Sequence, residues 1–314
     1  MFNRDISDRW LIDLAALIDA GLPLGTALTN VSKGVKSKTS IRLQRVASSV
    51  KKGGEFASAG RTLGLLSELD AKVIETGEKA GNLPKVLRRL AKREAFKAKL
   101  KRQFRSRMLM PIVVVVIAIF VTPLPKLVAG TISVNGYLSS TVGSILFVAA
   151  SLWLVTRAIA WGKRKDRLSK TIDKFELFVP VLGGIRIRQS TTDFLDALSL
   201  TYAAGLPIYQ AFTLSYLSIQ NSQVQSEFKI VEKPFNSGLT LSDALTQIQY
   251  LDRSIVGTIR AGEISGQLEE TLERMLTSER QRLEADQHFI GEWVPRLFYF
   301  TVAMWIATKL LAGS

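Results

Sequence analysis

The chain has 314 residues, with 42 Lys+Arg against 27 Asp+Glu and a formal net charge of +15. That is enough for two domains of ordinary size. It has no cysteine and a single histidine, His288, which excludes disulfides, thiolate metal sites, a histidine triad and two-histidine metal centres within one chain. The charge is uneven: residues 1–107 hold roughly 23 Lys+Arg against 10 Asp+Glu, and residues 162–292 roughly 15 against 17.

In chain order, Met1 to Asp5 has no apolar run behind a basic tip, so no cleaved signal peptide is expected. Residues 5–20 read as a helix with Ile6, Trp10, Leu14 and Leu17 on one face. Gly21-Leu22-Pro23 ends it and starts the next. Further helices are expected over about 23–32, 38–52, 55–63, 67–80 and 83–107. The same order returns over about 188–204, 207–220, 222–237, 240–249, 251–265 and 268–290. β-branched alternation is almost absent, so both stretches read as small helix bundles.

The two stretches are copies of one module. Ala20-Gly21-Leu22-Pro23-Leu24 returns as Ala204-Gly205-Leu206-Pro207-Ile208, and Gly77-Glu78-Lys79-Ala80-Gly81-Asn82-Leu83 as Gly262-Glu263-Ile264-Ser265-Gly266-Gln267-Leu268. Gly21 and Gly205 lie 184 positions apart, Gly77 and Gly262 185. Landmarks held in register over that distance mark an internal repeat. Leu83, Leu87, Leu90 and Ala91 fall opposite Leu268, Leu272, Met275 and Leu276, one helical stripe written twice. Pro111 and Pro295 match too, each just inside a long apolar segment.

Those segments predict membrane helices at 108–128, 139–161 and from 293 to the end, with a short loop at 129–138. Lys92, Arg93, Lys97, Lys99, Lys101, Arg102, Arg105 and Arg107 precede the first span, and Lys163, Arg164, Lys165 and Arg167 follow the second. Lys126 alone lies between the two. The positive-inside rule then puts both modules, 1–107 and 162–292, in the cytoplasm. The loop and the C-terminus fall on the far side.

The spans carry no charge in their middles, so a transporter is a weak reading beside plain anchoring. No phosphate-binding loop is present; Ser32-Lys33-Gly34-Val35-Lys36-Ser37 lacks the spacing. No enzyme, cofactor or metal site is expected. The cationic stretch 85–107 lacks the aromatic interleaving of single-strand binders, so nucleic acid is not expected as a partner. Its cations suit solvent, anionic lipid or an acidic protein. In Gly77, Glu78, Gly81 and Gly262, Glu263, Gly266, the second glycine can stop a helix and the first can permit close packing. The Glu side chains can satisfy donors at a neighbouring helix start, pair with a cation, or form a partner contact or inter-module interface.

The doubled Ala-Gly-Leu-Pro and Gly-Glu-x-x-Gly-x-Leu elements, each module followed by a span, resemble the F-domain family over about residues 5–311. These are the inner-membrane platform proteins of type IV pilus biogenesis and type II secretion. The resemblance implies an all-α fold of two cytoplasmic six-helix bundles and three transmembrane helices. It also implies a mechanical role, coupling a cytoplasmic hexameric assembly ATPase to polymerisation of pilin or pseudopilin subunits. Implied partners are that ATPase, (pseudo)pilin transmembrane helices, other inner-membrane assembly proteins, the lipid bilayer and further copies of the chain. Lys85, Arg88 and Arg89 join the Gly-Glu residues as expected partner-interface positions. The alternative is a membrane scaffold or receptor for a soluble complex unrelated to filaments.

Overall fold

The computed structural model describes residues 9–311 except 36, 122, 163–170, 172, 175, 179 and 237. The expected basic run at Lys163, Arg164, Lys165 and Arg167 lies outside the described residues, as does the start of the helix expected over 5–20. Among the described residues the chain is all-helical, without a strand. The first copy comprises α1 (Arg9–Asp19), α2 (Leu24–Lys33), α3 (Ser37–Lys51), α4 (Phe56–Thr62), α5 (Glu68–Lys79) and α6 (Leu83–Val121). Helices α7 (Leu124–Val128) and α8 (Val134–Gly162) follow. The second copy comprises α9 (Pro180–Ala203), α10 (Ile208–Tyr216), α11 (Ser222–Asn236), α12 (Leu241–Thr246), α13 (Arg253–Ile264) and α14 (Leu268–Leu311).

The chain forms two compact units. One joins residues 1–98 with 186–281 and so contains the bundles of both copies; the other joins 99–185 with 282–314.

Within the first unit, each copy closes on an apolar core. Trp10, Leu14, Leu28, Leu43, Phe56, Ile74 and Leu87 are fully buried in copy one. In copy two an aromatic cluster does the same work. Phe194 meets Phe212 edge-on at 5.7 Å between centroids and Phe228 at 4.6 Å, and Phe212 meets Phe235 at 5.2 Å. At about 1.5–3 kcal/mol per large buried apolar side chain, this burial is the main force closing each bundle. The turn between the first two helices is identical in kind. Gly21 and Gly205 take φ of +83° and +96°. The following N–H bonds back to the carbonyl five residues earlier, Leu22 to Leu17 and Leu206 to Thr201. A side chain at that left-handed position would be strained, which is why glycine recurs there.

Helix α6 does not stop where the bundle does. The helix expected over 83–107 and the apolar run beyond it form one continuous helix of 39 residues, about 58 Å long. No glycine interrupts it. Its distal part leaves Leu109, Met110, Ile112, Ile117 and Phe120 exposed, and by length and composition α6 can cross a membrane. Helix α8 exposes Leu138, Leu146, Trp153 and Leu154 in the same unit. A bare apolar surface of this kind is unfavourable in water and natural in hydrocarbon, where a helix satisfies its own backbone.

Candidate functional site: the seam between the copies

The functional geometry lies where α6 of copy one meets α9 and α14 of copy two, inside the first unit. Positions 85, 89, 92, 93 and 96 follow the 4-3 spacing of one helical stripe, so their side chains share a face. At the near end Lys85 Nζ lies 3.0 Å from Glu269. The Arg89 guanidinium donates to Glu269 Oε1 at 2.7 Å, Glu273 Oε2 at 3.2 Å, and the Ser199 carbonyl and hydroxyl oxygens at 3.3 Å each. Lys92 reaches Glu273 at 3.3 Å. Arg88, pointing off the stripe, pairs with Asp19 at the end of α1.

Deeper in the seam the ions are buried. Arg93, Asp70 and Asp196 are 6%, 2% and 6% exposed, so none is neutralised by water. Arg93 donates to Asp70 Oδ1 at 3.0 Å, and its Nε lies 2.5 Å from Asp196 Oδ2. Arg280 donates to the other oxygen of Asp196 and sits over the Phe96 ring at 4.9 Å. The result is an alternating chain, Asp70–Arg93–Asp196–Arg280, that crosses from copy one to copy two. Burial opposes the charge on Arg93, but Asp196 and Asp70 outweigh it and hold its pKa above the ordinary value. Asp70 also caps α5 reciprocally. Its Oδ2 accepts from Ser67 N–H, and Asp70 N–H donates back to Ser67 Oγ. One carboxylate therefore fixes the start of α5 and the position of α6.

Asp193, one turn before Asp196, completes the cluster. Burial pushes its carboxyl up to about 6, against the pull of Lys97 and Arg93.

The Gly-Glu elements lie at a different place, the end of α5 with its turn into α6 and, in the repeat, the end of α13 with its turn into α14. Glu78 accepts from Phe56 N–H and Ala57 N–H, both at 3.3 Å, at the start of α4. Glu263 accepts from Leu241 N–H and Ser242 N–H at 2.7 and 2.9 Å at the start of α12. Each carboxylate satisfies two donors that a helix start leaves open. Burial pushes the Glu78 carboxyl up, and the two N–H donors pull it back only in part. A Cβ on Gly77 would sit 2.8 Å from Val86, and one on Gly262 2.9 Å from Thr271, so these glycines let α5 touch α6 and α13 touch α14. Gly81 and Gly266 close the helices at φ +68° and +69°.

The structure therefore brings Lys85 and Arg89 onto copy two, keeps Arg88 within copy one, and gives Gly77, Glu78, Gly262 and Glu263 contacts inside the bundles, while Gly81 and Gly266 are exposed helix ends. The residues not singled out from the sequence are Asp70, Arg93, Asp196 and Arg280. The available signal was the opposite charge of matching stretches: basic at 85–99 and acidic at 269–286.

A duplicated helical module, each copy running on through a long helix into an apolar segment, defines a class of tandem-repeat, membrane-associated proteins. The chain belongs to the family described as type II secretion system (T2SS), protein F, which it matches over residues 10–127 and again over 194–312. It is 26% identical over 280 residues to the type IV pilus assembly protein PilC of Myxococcus xanthus, covering 83% of this chain and 67% of that protein. It is 25% identical over 327 residues to the type II secretion system protein F of Vibrio cholerae, covering 96% and 80%. The PilC of Pseudomonas aeruginosa is 23% identical over 282 residues, covering 83% and 75%.

Proposed function

We propose that this chain is an inner-membrane platform that couples a cytoplasmic assembly ATPase to polymerisation of pilin or pseudopilin subunits. The observation that carries the reading is the doubled family match in register, each copy ending in a helix that leaves the bundle without a break. A continuous helix transmits displacement where a flexible linker would absorb it. The chain has no phosphate-binding loop, so in this reading the energy comes from the ATPase and the chain itself performs no catalysis. Both bundles face the cytoplasm, three helices span the membrane, and the chain works as a homo-oligomer. Small residues such as Gly143 and Ser144 in α8 suit close packing against (pseudo)pilin helices.

Lys85 and Arg89 act in this scheme by holding the two bundles in one fixed arrangement. Arg88 steadies the same helix, and Gly77, Glu78, Gly81 with Gly262, Glu263, Gly266 fix the helix corners. The ATPase reads the surface that results. Mild-detergent pull-down of the tagged protein from native membranes, with mass spectrometry of the partners, tests the proposal. Recovery of a hexameric assembly ATPase and a pilin-like subunit is expected. Clean recovery without either, in cells building a working filament, overturns it in favour of a scaffold for an unrelated soluble complex.

A further inference from the structure

The cations of copy one differ in their partners. Those of α4, α5 and the seam stretch of α6 are matched: Arg61 with Glu68, Lys72 and Lys79 with Glu75, Lys85 and Arg89 with Glu269, Arg88 with Asp19, and Arg93 with Asp70 and Asp196. Lys101, Arg102 and Arg105, farther along α6 where it approaches its apolar run, have no carboxylate partner among the described residues. Those of α3 are not matched either. Helix α3 buries Leu43, Val46 and Ala47 and turns Lys38, Ile41, Arg42, Arg45 and Ser48 outward, with Lys52 just past its end. Lys38, Arg42, Arg45 and Lys52 fall at i, i+4, i+7 and i+14, one face of the helix. Arg42 donates to the Gly64 carbonyl at 3.2 Å. Among the described residues none of the four has a carboxylate partner, and α3 itself contains no acid.

The fold does not require this charge. Superposing the buried positions Leu43 and Val46 on Phe228 and Val231 of α11 sets Gln223, Glu227 and Ile230 where copy one has Lys38, Arg42 and Arg45. Like charges at i,i+3 and i,i+4 repel and destabilise a helix. A face that carries them without internal relief is open to an external anion.

We propose that the outer face of α3 binds the anionic phospholipid surface of the membrane in which the chain is anchored. The face argues for lipid over protein. Helix α3 contains no aromatic residue, the kind of anchor that carries protein interfaces. It offers flexible Lys and Arg of one sign along about 20 Å of helix, with Ile41 51% exposed among them. Such a surface needs only a sheet of negative headgroups. Contact with that sheet holds the first bundle against the bilayer by a face separate from the seam. The inference rests on the membrane location in the proposed function, not on the ATPase.

The absence of cysteine makes the test clean. Ser48→Cys in the full-length chain gives a single attachment point for a fluorophore beside the cationic stripe. The labelled protein is placed in nanodiscs of phosphatidylcholine, or of phosphatidylcholine with phosphatidylglycerol, each containing a lipid with a quencher on its headgroup. Strong quenching is expected only with phosphatidylglycerol. It should disappear at about 1 M salt, where charges are screened within about 3 Å. Lys38→Gln, Arg42→Gln and Arg45→Gln together should weaken it, by about fivefold for each charge removed. These side chains are exposed, and unchanged helical circular dichroism verifies that the variant folds. Equal quenching in both compositions overturns the proposal. So does a fluorophore that ignores phosphatidylglycerol and is shielded only when the assembly ATPase is added, which would make α3 a protein-docking face. Failure of the pull-down described above would leave this measurement interpretable, and the reverse also holds.

Discussion

The two copies of the module share a backbone plan and differ in almost every exposed charge. Copy one is strongly basic. Copy two is nearly balanced and presents Glu269, Glu270 and Glu273 at the start of its last helix. The shared features are glycines and capping carboxylates, which answer to backbone geometry; the differing ones are side chains that meet something outside their own bundle. Duplication thus preserved what closes a bundle and released what the bundle touches. At the seam the difference is used directly, because basic α6 and acidic α14 attract where two identical copies would repel.

The largest effect should come from breaking the seam where the copies differ most. Arg93 has Ser278 at the matching position of copy two. Arg93→Leu removes from the buried Asp70 and Asp196 the cation they share and should cost about 3–5 kcal/mol. The check is the urea midpoint of the purified protein in detergent. Replacing Arg93 and Asp196 together by Leu should cost less than the sum of the two single changes; strict additivity would mean the ions do not form one network.

Glycine substitutions sharpen the comparison from the other side, since here the copies should agree. Gly77→Ala and Gly262→Ala each force a methyl group against a neighbouring helix and should lose about 1–3 kcal/mol. Gly257→Ala in α13 is the control. Its Cβ would meet nothing within 4 Å, so helix propensity should make that variant about 0.5–1 kcal/mol more stable.

Removing the capping carboxylates ranks next. Glu78→Ala and Glu263→Ala each strand two N–H donors at a helix start, and losses of about 0.5–2 kcal/mol are expected. The shorter bonds of Glu263 put its loss at the upper end. Equal thermal shifts in the two variants would remove that distinction.

A pH-dependent effect belongs to copy two alone, because Asp193 stands where copy one has Arg9. Its folded-state pKa of about 6 lies above the ordinary aspartate value. The folded chain therefore keeps a proton that the unfolded chain releases near pH 4. The stabilisation is fully present below about pH 4 and is lost as pH rises through about 6. Asp193→Asn should be about 1–2 kcal/mol more stable than the parent at neutral pH. That advantage should vanish near pH 4, read from midpoints measured across the range.

The order of amino acids by itself determined the all-α class, the duplication and the glycine-marked helix ends, because these rest on local rules; it did not show that the helix expected over 83–107 runs on to Val121 or that α9 begins at Pro180. Apolar spacing marks a helix face, a left-handed turn needs Gly21 or Gly205, and a helix end needs Gly81 or Gly266. It also exposed the basic stretch 85–107 and its acidic counterpart 268–290. What it left open was how those stretches pair, and which of several roles Glu78 and Glu263 fill. Only the tertiary structure decided those points. Asp70 and Asp196 are 126 residues apart, and no periodicity links them; they share Arg93 because packing brings α5, α6 and α9 together. Lys85 and Arg89 look like free surface cations in one dimension and become ion-pair partners once α14 lies beside α6. The same packing gives Lys38, Arg42, Arg45 and Lys52 no carboxylate partner among the described residues, which one dimension does not show.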